Sequence, residues 1–305
     1  MGAFIGANIP RHARTRRPRT SWVLWLAAGV IMLGAATWQR LTGPTHPRRG
    51  RTEIAGQEVR WRLLRSQDSG EPLRVSVAVP EDIAGTPVTG TVHFRRFPTE
   101  EPFQALAMSR QNEALVGFLP TQPPAGKLEY FVVLDAPGGP VRLPEGEPLL
   151  ARFKGHVPLW ILLPHVLAMF FAMLIGVRAA LATALGRPET RALAWLALLG
   201  ITLGGMILGP IVQKHAFGAY WTGWPLGGDL TDNKTAAMWL AWIAAVALLQ
   251  RRRDAADRMA RAGVAIAALV MMAVYVIPHS LRGSQLDYRA VEAEGTSRES
   301  TPAER

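Results

Sequence analysis

The feature that most constrains this chain is an apolar run, Val157–Val177, of about 21 residues. At a helical rise of about 1.5 Å per residue, that length crosses a hydrocarbon layer of ~30 Å. Similar blocks occupy Ser21–Trp38, Ala192–Val212, Thr235–Leu249 and Ala262–Pro278, and arginine-rich segments alternate with them. The block at 235–249 is the shortest, about 15 residues, and is marginal as a span by length alone. Charge decides how it is read. If it did not cross, the arginines at 251–253, 258 and 261 would share a side with the polar region at 41–155, against the positive-inside rule.

The charge distribution also excludes a class of function. The chain carries a net charge of +11. Segments 1–20, 178–191 and 250–261 hold 13 Lys and Arg against 3 Asp and Glu, leaving 21 against 20 elsewhere. Ten of the eleven excess charges therefore flank apolar blocks. This pattern reports orientation against an anionic inner leaflet rather than a nucleic-acid partner. The absence of cysteine excludes disulfides, thiolate metal sites and a cysteine nucleophile.

These patterns divide the chain into five parts. Residues 1–20 are a basic cytoplasmic segment, and 21–40 an anchoring span with Trp22, Trp25 and Trp38 at its ends. The alternative for that span is a secretory signal with Gly34-Ala35-Ala36 as its cleavage site. Residues 41–155 form an exported domain, and 156–280 a four-helix membrane domain with spans at about 157–177, 192–212, 235–249 and 262–278. Residues 281–305 are polar and without periodicity, which predicts a disordered exported tail. The whole is a mixed membrane protein of five spans, amino terminus inside and carboxyl terminus outside.

Residues 41–155 carry seven segments of rough period-two alternation: Glu58–Leu63, Leu73–Val79, Val88–Phe94, Phe103–Ser109, Leu115–Leu119, Leu128–Leu134 and Leu149–Phe153. Turn sequences such as Asp68-Ser69-Gly70 and Pro137-Gly138-Gly139-Pro140 separate them. Short alternating strands at this spacing predict an all-β sandwich. The run from Leu119-Pro120 to Lys127-Leu128-Glu129-Tyr130 resembles the approach to the sixth strand of fibronectin type III and immunoglobulin-like domains. The resemblance implies an Ig-like fold in which Tyr130 braces a corner, and it carries no function.

Candidate chemistry lies mainly in the membrane part. Imidazole is the commonest metal ligand and binds haem iron axially. An ionisable group at membrane depth marks function by default. His165 follows Pro164 eight residues into its span, while His215 and His279 end later spans near the same face. His165, His215 and His279 are thus the candidate ligands for haem b or copper. Met169 shares a helix face with His165 at i+4, and Asp229, Asp232 and Lys234 are candidate second-layer partners. The blander expectation is that helix-end histidines meet headgroups and that Pro164 simply frees a carbonyl for His165. The aromatic loop 214–234 makes Tyr220, Trp221 and Trp224 candidates for a lid or partner surface, or for an interfacial belt with Asp232 or Asn233 capping the next helix. Gly200, Gly204, Gly205 and Gly209 give two GxxxG pairs, which predict close helix packing within the chain. No phosphate-binding loop, dinucleotide fingerprint or nucleophile elbow is present.

The expected function is therefore non-enzymatic: an inner-membrane accessory or binding protein in a lipid bilayer, whose periplasmic sandwich engages an envelope or membrane protein. The alternative is a redox or metal-handling subunit with a histidine site near the outer face, and the third reading is a transporter component.

Overall fold

The computed structural model describes residues 21–252, 257–278, 284–289 and 291. The basic segment 1–20, His279 and most of the carboxyl-terminal tail lie outside the described residues.

Helix α1, Ser21–Thr42, leads into thirteen strands: β1 Arg48–Ile54, β2 Gln57–Leu63, β3 Ser66–Asp68, β4 Leu73–Ala78, β5 Asp82–Ile83, β6 Thr86–Pro87 and β7 Thr89–Arg96. The remainder are β8 Gln104–Ala107, β9 Ser109–Gln111, β10 Ala114–Leu119, β11 Lys127–Ala136, β12 Gly139–Leu143 and β13 Leu149–Lys154. One sheet has the order β1-β2-β4-β10-β9, and a second the order β3-β13-β11-β7-β8 with β12 on β11. Strands β5 and β6 form a small separate hairpin.

The two large sheets share one core, because alternate residues of each strand turn inward. Val59, Trp61 and Leu63 come from β2, Val75 and Val77 from β4, and Leu128, Tyr130, Val132 and Leu134 from β11. Gly117 lets the sheets close. A Cβ there would sit 3.1 Å from Val92 on the opposite sheet. The buried hydroxyl of Tyr130 donates to the carbonyl of Leu64 at 2.6 Å, so this tyrosine braces the turn after β2.

The helical part contains α2 Leu159–Ala184, α3 Thr190–Phe217, α4 Leu230–Arg251 and α5 Arg258–Val276. Among the described residues four helices, α1, α2, α3 and α5, are long and apolar enough to cross a membrane. Helix α4 differs from the expectation. It is 22 residues long rather than about 15, but its first turns carry Asp232, Asn233 and Lys234, and it does not reach the apolarity of the other four. It starts earlier than the apolar pattern implies because Asp229, not Asp232 or Asn233, is its N-cap, with the side chain accepting from Thr231 N at 2.7 Å. Its buried face, with Met238, Trp242 and Ala245, belongs to the core of the other helices.

Small residues set the helix spacing. Gly200 and Gly204 of α3 both face α2, and a Cβ on Gly200 would fall 2.9 Å from Ala172 Cβ. The GxxxG spacing thus serves packing inside the chain. Helix α1 joins the bundle through Ala28 and Ala35, its only buried residues.

Three connections fasten the sandwich to the helices. Arg152 Nη1 donates to the carbonyl of Pro44, just past α1, at 3.1 Å. Gly155 N donates to the carbonyl of Ala216, near the end of α3, at 2.8 Å. Residues 284–289 of the polar tail lie against the sandwich, where the Tyr288 hydroxyl accepts from Lys127 N at 2.9 Å and lies 2.9 Å from Gln122 Oε1. Tyr288 is only 7% exposed.

Candidate functional site

The helical part contains a cavity of about 330 Å³, within the size range of small-molecule sites. Its walls are mostly apolar, from residues such as Leu162, Val166 and Phe170, with a minority of polar groups that includes His165, Gln213, Asp232 and Tyr275. Helices α1 to α5 all contribute to it, and so does the loop before α4.

Local backbone irregularity places His165. Residues Thr202–Leu208 of α3 are π-helical, a form often found at functional sites. Two adjacent glycines and Pro210, which lacks an N–H, accompany this widening of the helix. Within it, the Gly204 carbonyl accepts from Gly209 N and also meets His165 Nδ1 at 2.9 Å. A carbonyl only accepts, so Nδ1 carries the proton. In the neutral ring Nε2 is then bare, an open acceptor on a side chain that lines the cavity. On the neighbouring turn the Tyr275 hydroxyl donates to the Met169 carbonyl at 2.6 Å.

The acidic residues have structural duties. Asp229 Oδ2 accepts from Thr222 Oγ1 at 3.2 Å and from Ser284 Oγ at 3.0 Å, in addition to its capping bond. Asp232 Oδ2 accepts from Thr222 N at 2.7 Å and from Gln213 Nε2 at 3.0 Å. Asn233 Oδ1 accepts from Trp224 N at 2.6 Å. Together they clamp the loop 218–229 onto the start of α4. Lys234 turns away from the cavity: its Nζ donates to the carbonyl of Ile277 at 2.7 Å, tying α4 to the end of α5.

The sequence candidates therefore separate. His165, Met169, Asp229, Asp232 and Trp221 all line the cavity. His215 is exposed in the last turn of α3 and is not part of the lining, and His279 lies outside the described residues. Among the described residues no group of three or more His, Asp or Glu side chains could hold a metal ion. Trp221 forms part of the wall, whereas Tyr220 and Trp224 are exposed. No protein-family model and no curated protein matches the chain.

Two features escape sequence reasoning. One is the set of Gln213 and Tyr275, whose place in the cavity depends on how the helices pack. The other is a ladder on the outer face of the second sheet. His93 and Phe131 are directly opposed on β7 and β11 and stack at 4.9 Å between ring centroids. Arg142 lies 3.9 Å over Phe131, Phe103 meets its edge, and Arg95 covers Phe103 at 4.5 Å. Period-two alternation does place residues 93 and 131 on the outer face, but their cross-strand pairing depends on register.

Proposed function

We propose that this chain is a non-enzymatic accessory protein of a bacterial-type inner membrane, whose periplasmic sandwich, of Ig-like type, engages an envelope or membrane protein. The observation that carries this reading is the outer-face ladder of His93, Phe131, Phe103, Arg95 and Arg142. Aromatic and arginine side chains are the types enriched at protein interfaces. Here they are half-buried or exposed and held rigid by mutual stacking, so little rotamer freedom is lost on contact. The helices would then anchor the sandwich and fix its orientation. The test is a photo-crosslinking residue at position 131 in intact cells, with position 74 on the opposite sheet as control. A discrete protein adduct at 131 that weakens in Arg95→Glu is expected. No adduct, or equal adducts at both positions, refutes the reading.

His165 favours a second reading, a redox or metal-binding subunit. Its protonated Nδ1 is spent on Gly204, and its bare Nε2 belongs to a residue lining a mostly apolar cavity. That arrangement suits an axial haem ligand or a copper ligand. An absorption spectrum and metal analysis of the purified protein beside His165→Ala tests it. A Soret band or stoichiometric copper, lost in the variant, supports this reading, and a colourless metal-free protein removes it.

A further inference from the structure

We propose that the seam between the sandwich and the helices binds the phosphate of an anionic phospholipid headgroup, held by Arg48 and Arg65 at the rim with Arg152 behind them. This goes beyond the partner reading and does not depend on which protein the sandwich meets.

The first observation is an uncompensated cluster of cations. Arg65 and Arg152 each have a buried Nε without a hydrogen-bond partner, and Arg152 is only 8% exposed. Among the described residues neither they nor Arg48 forms an ion pair with a carboxylate. Burial in a like-charged setting costs heavily unless an anion accompanies the group. The cluster bears the marks of that cost. Burial pushes the Arg152 guanidinium down to about 10, with Arg65 adding to it, and Arg65 is lowered by burial and by Arg48. Lys127 beside them is lowered by burial and by Arg152 to about 8, with Asp229 the one carboxylate opposing the shift.

The second observation is position. Arg152 bonds the carbonyl of Pro44, two residues past the end of α1. Lys127 and Arg152 also line a small void together with Phe217, the last residue of α3. The cluster therefore sits at the level where helices end, the depth of lipid headgroups. A cation cluster on the sandwich's side runs against the charge bias of the rest of the chain, so orientation does not account for it. Protection of an exposed sheet edge would account for Arg48 on β1, but not for Arg65 or the buried Arg152. The void beside Arg152 is about 10 Å³, enough for one water at most. A phosphate must therefore dock outside it, on exposed Arg48 and half-buried Arg65. Guanidinium forks match phosphate oxygens bidentately.

The experiment uses the full chain purified in a neutral maltoside detergent. Its thermal midpoint is measured with dioleoylphosphatidylglycerol, dioleoylphosphatidylcholine or inorganic phosphate added. The phosphatidylglycerol at about a hundredfold excess over its Kd raises the midpoint by about 4 °C, and the phosphatidylcholine does not. The double variant Arg48→Gln/Arg65→Gln loses the rise, while Arg60→Gln/Arg62→Gln, on the outer sheet face, keeps it. Should the double variant fail to fold, Arg48→Gln alone, at an exposed position, must cut the rise by at least half. Equal stabilisation by both lipids, or an unchanged rise in the seam variant, overturns the proposal. So does an equal rise with inorganic phosphate, which would assign the cluster to a free anion instead.

Discussion

Substituting alanine at Gly200 tests how closely α2 and α3 approach, and with it the support of His165. The new Cβ would lie 2.9 Å from Ala172 Cβ, 3.2 Å from Ala172 Cα and 3.5 Å from the Ala168 carbonyl oxygen. None of these is the free end of a flexible side chain. Carbon atoms prefer about 3.5–4.0 Å, so the axes must part by roughly half an ångström to one. Such overpacking costs about 1–3 kcal/mol, while replacing a helical glycine returns at most about 1 kcal/mol. The net loss is about 1–2 kcal/mol. Gly34→Ala in α1 is the matched control, because nothing lies within 4 Å of its Cβ position; it is neutral or gains up to about 1 kcal/mol. Thermal unfolding in detergent should therefore separate the two by about 2–5 °C. Parting α2 from α3 also lengthens the 2.9 Å contact between His165 Nδ1 and Gly204 O. If Gly200→Ala unfolds at the same temperature as Gly34→Ala, the packing argument is wrong.

Three further outcomes are expected. Tyr288→Phe leaves Lys127 N without the hydroxyl that accepts from it and lowers stability by about 1–3 kcal/mol; hydrogen exchange at the start of β11 reads the loss, and unchanged protection there would contradict it. Asp229→Ala removes the α4 cap and the acceptor of Thr222 and Ser284, at a cost of about 0.5–2 kcal/mol in a denaturant melt, and a variant as stable as the parent would dissolve the clamp. Lys127, held near 8 in the fold by burial against an ordinary value of 10.5, binds more protons in the unfolded chain between those values. Stability therefore rises with pH across pH 8 to 10 and is lower, and flat, beneath that window. The full effect is of order 3 kcal/mol, and Lys127→Met should flatten the rise.

Six of the seven alternating segments read from the sequence each overlie one strand, and each long apolar block a helix, because periodicity and length are local properties; the seventh, Phe103–Ser109, holds β8 and the first residue of β9, which pass to different sheets across Met108. Strand β1 escaped: Arg48-Arg49-Gly50-Arg51 carries no apolar alternation, since an edge strand can leave both flanks to solvent. The polar first turns of α4 were likewise invisible to an apolar count, because their anchors are Thr222 and the end of α5, distant in sequence. For the cavity, His165, Met169, Asp229, Asp232 and Trp221 were legible as unusual residues at membrane depth or in a long loop. Gln213 and Tyr275 were not, since a lone polar residue in an apolar helix says nothing about which neighbour it faces. The seam arginines gave no signal at all. Arginine in a strand reads as solvent-facing until the turn after β2 and the end of α1 are folded against it.

The sandwich is gripped at Pro44, at Gly155 and at Tyr288, three contacts that engage the exit of α1, the end of α3 and the segment beyond α5. A body held at one point swings, and at two it hinges. Held at three separate points, it has less freedom to swing than it would on a single linker. Any force a bound protein applies to the sandwich is then passed to the helices as a tilt rather than absorbed in a flexible neck.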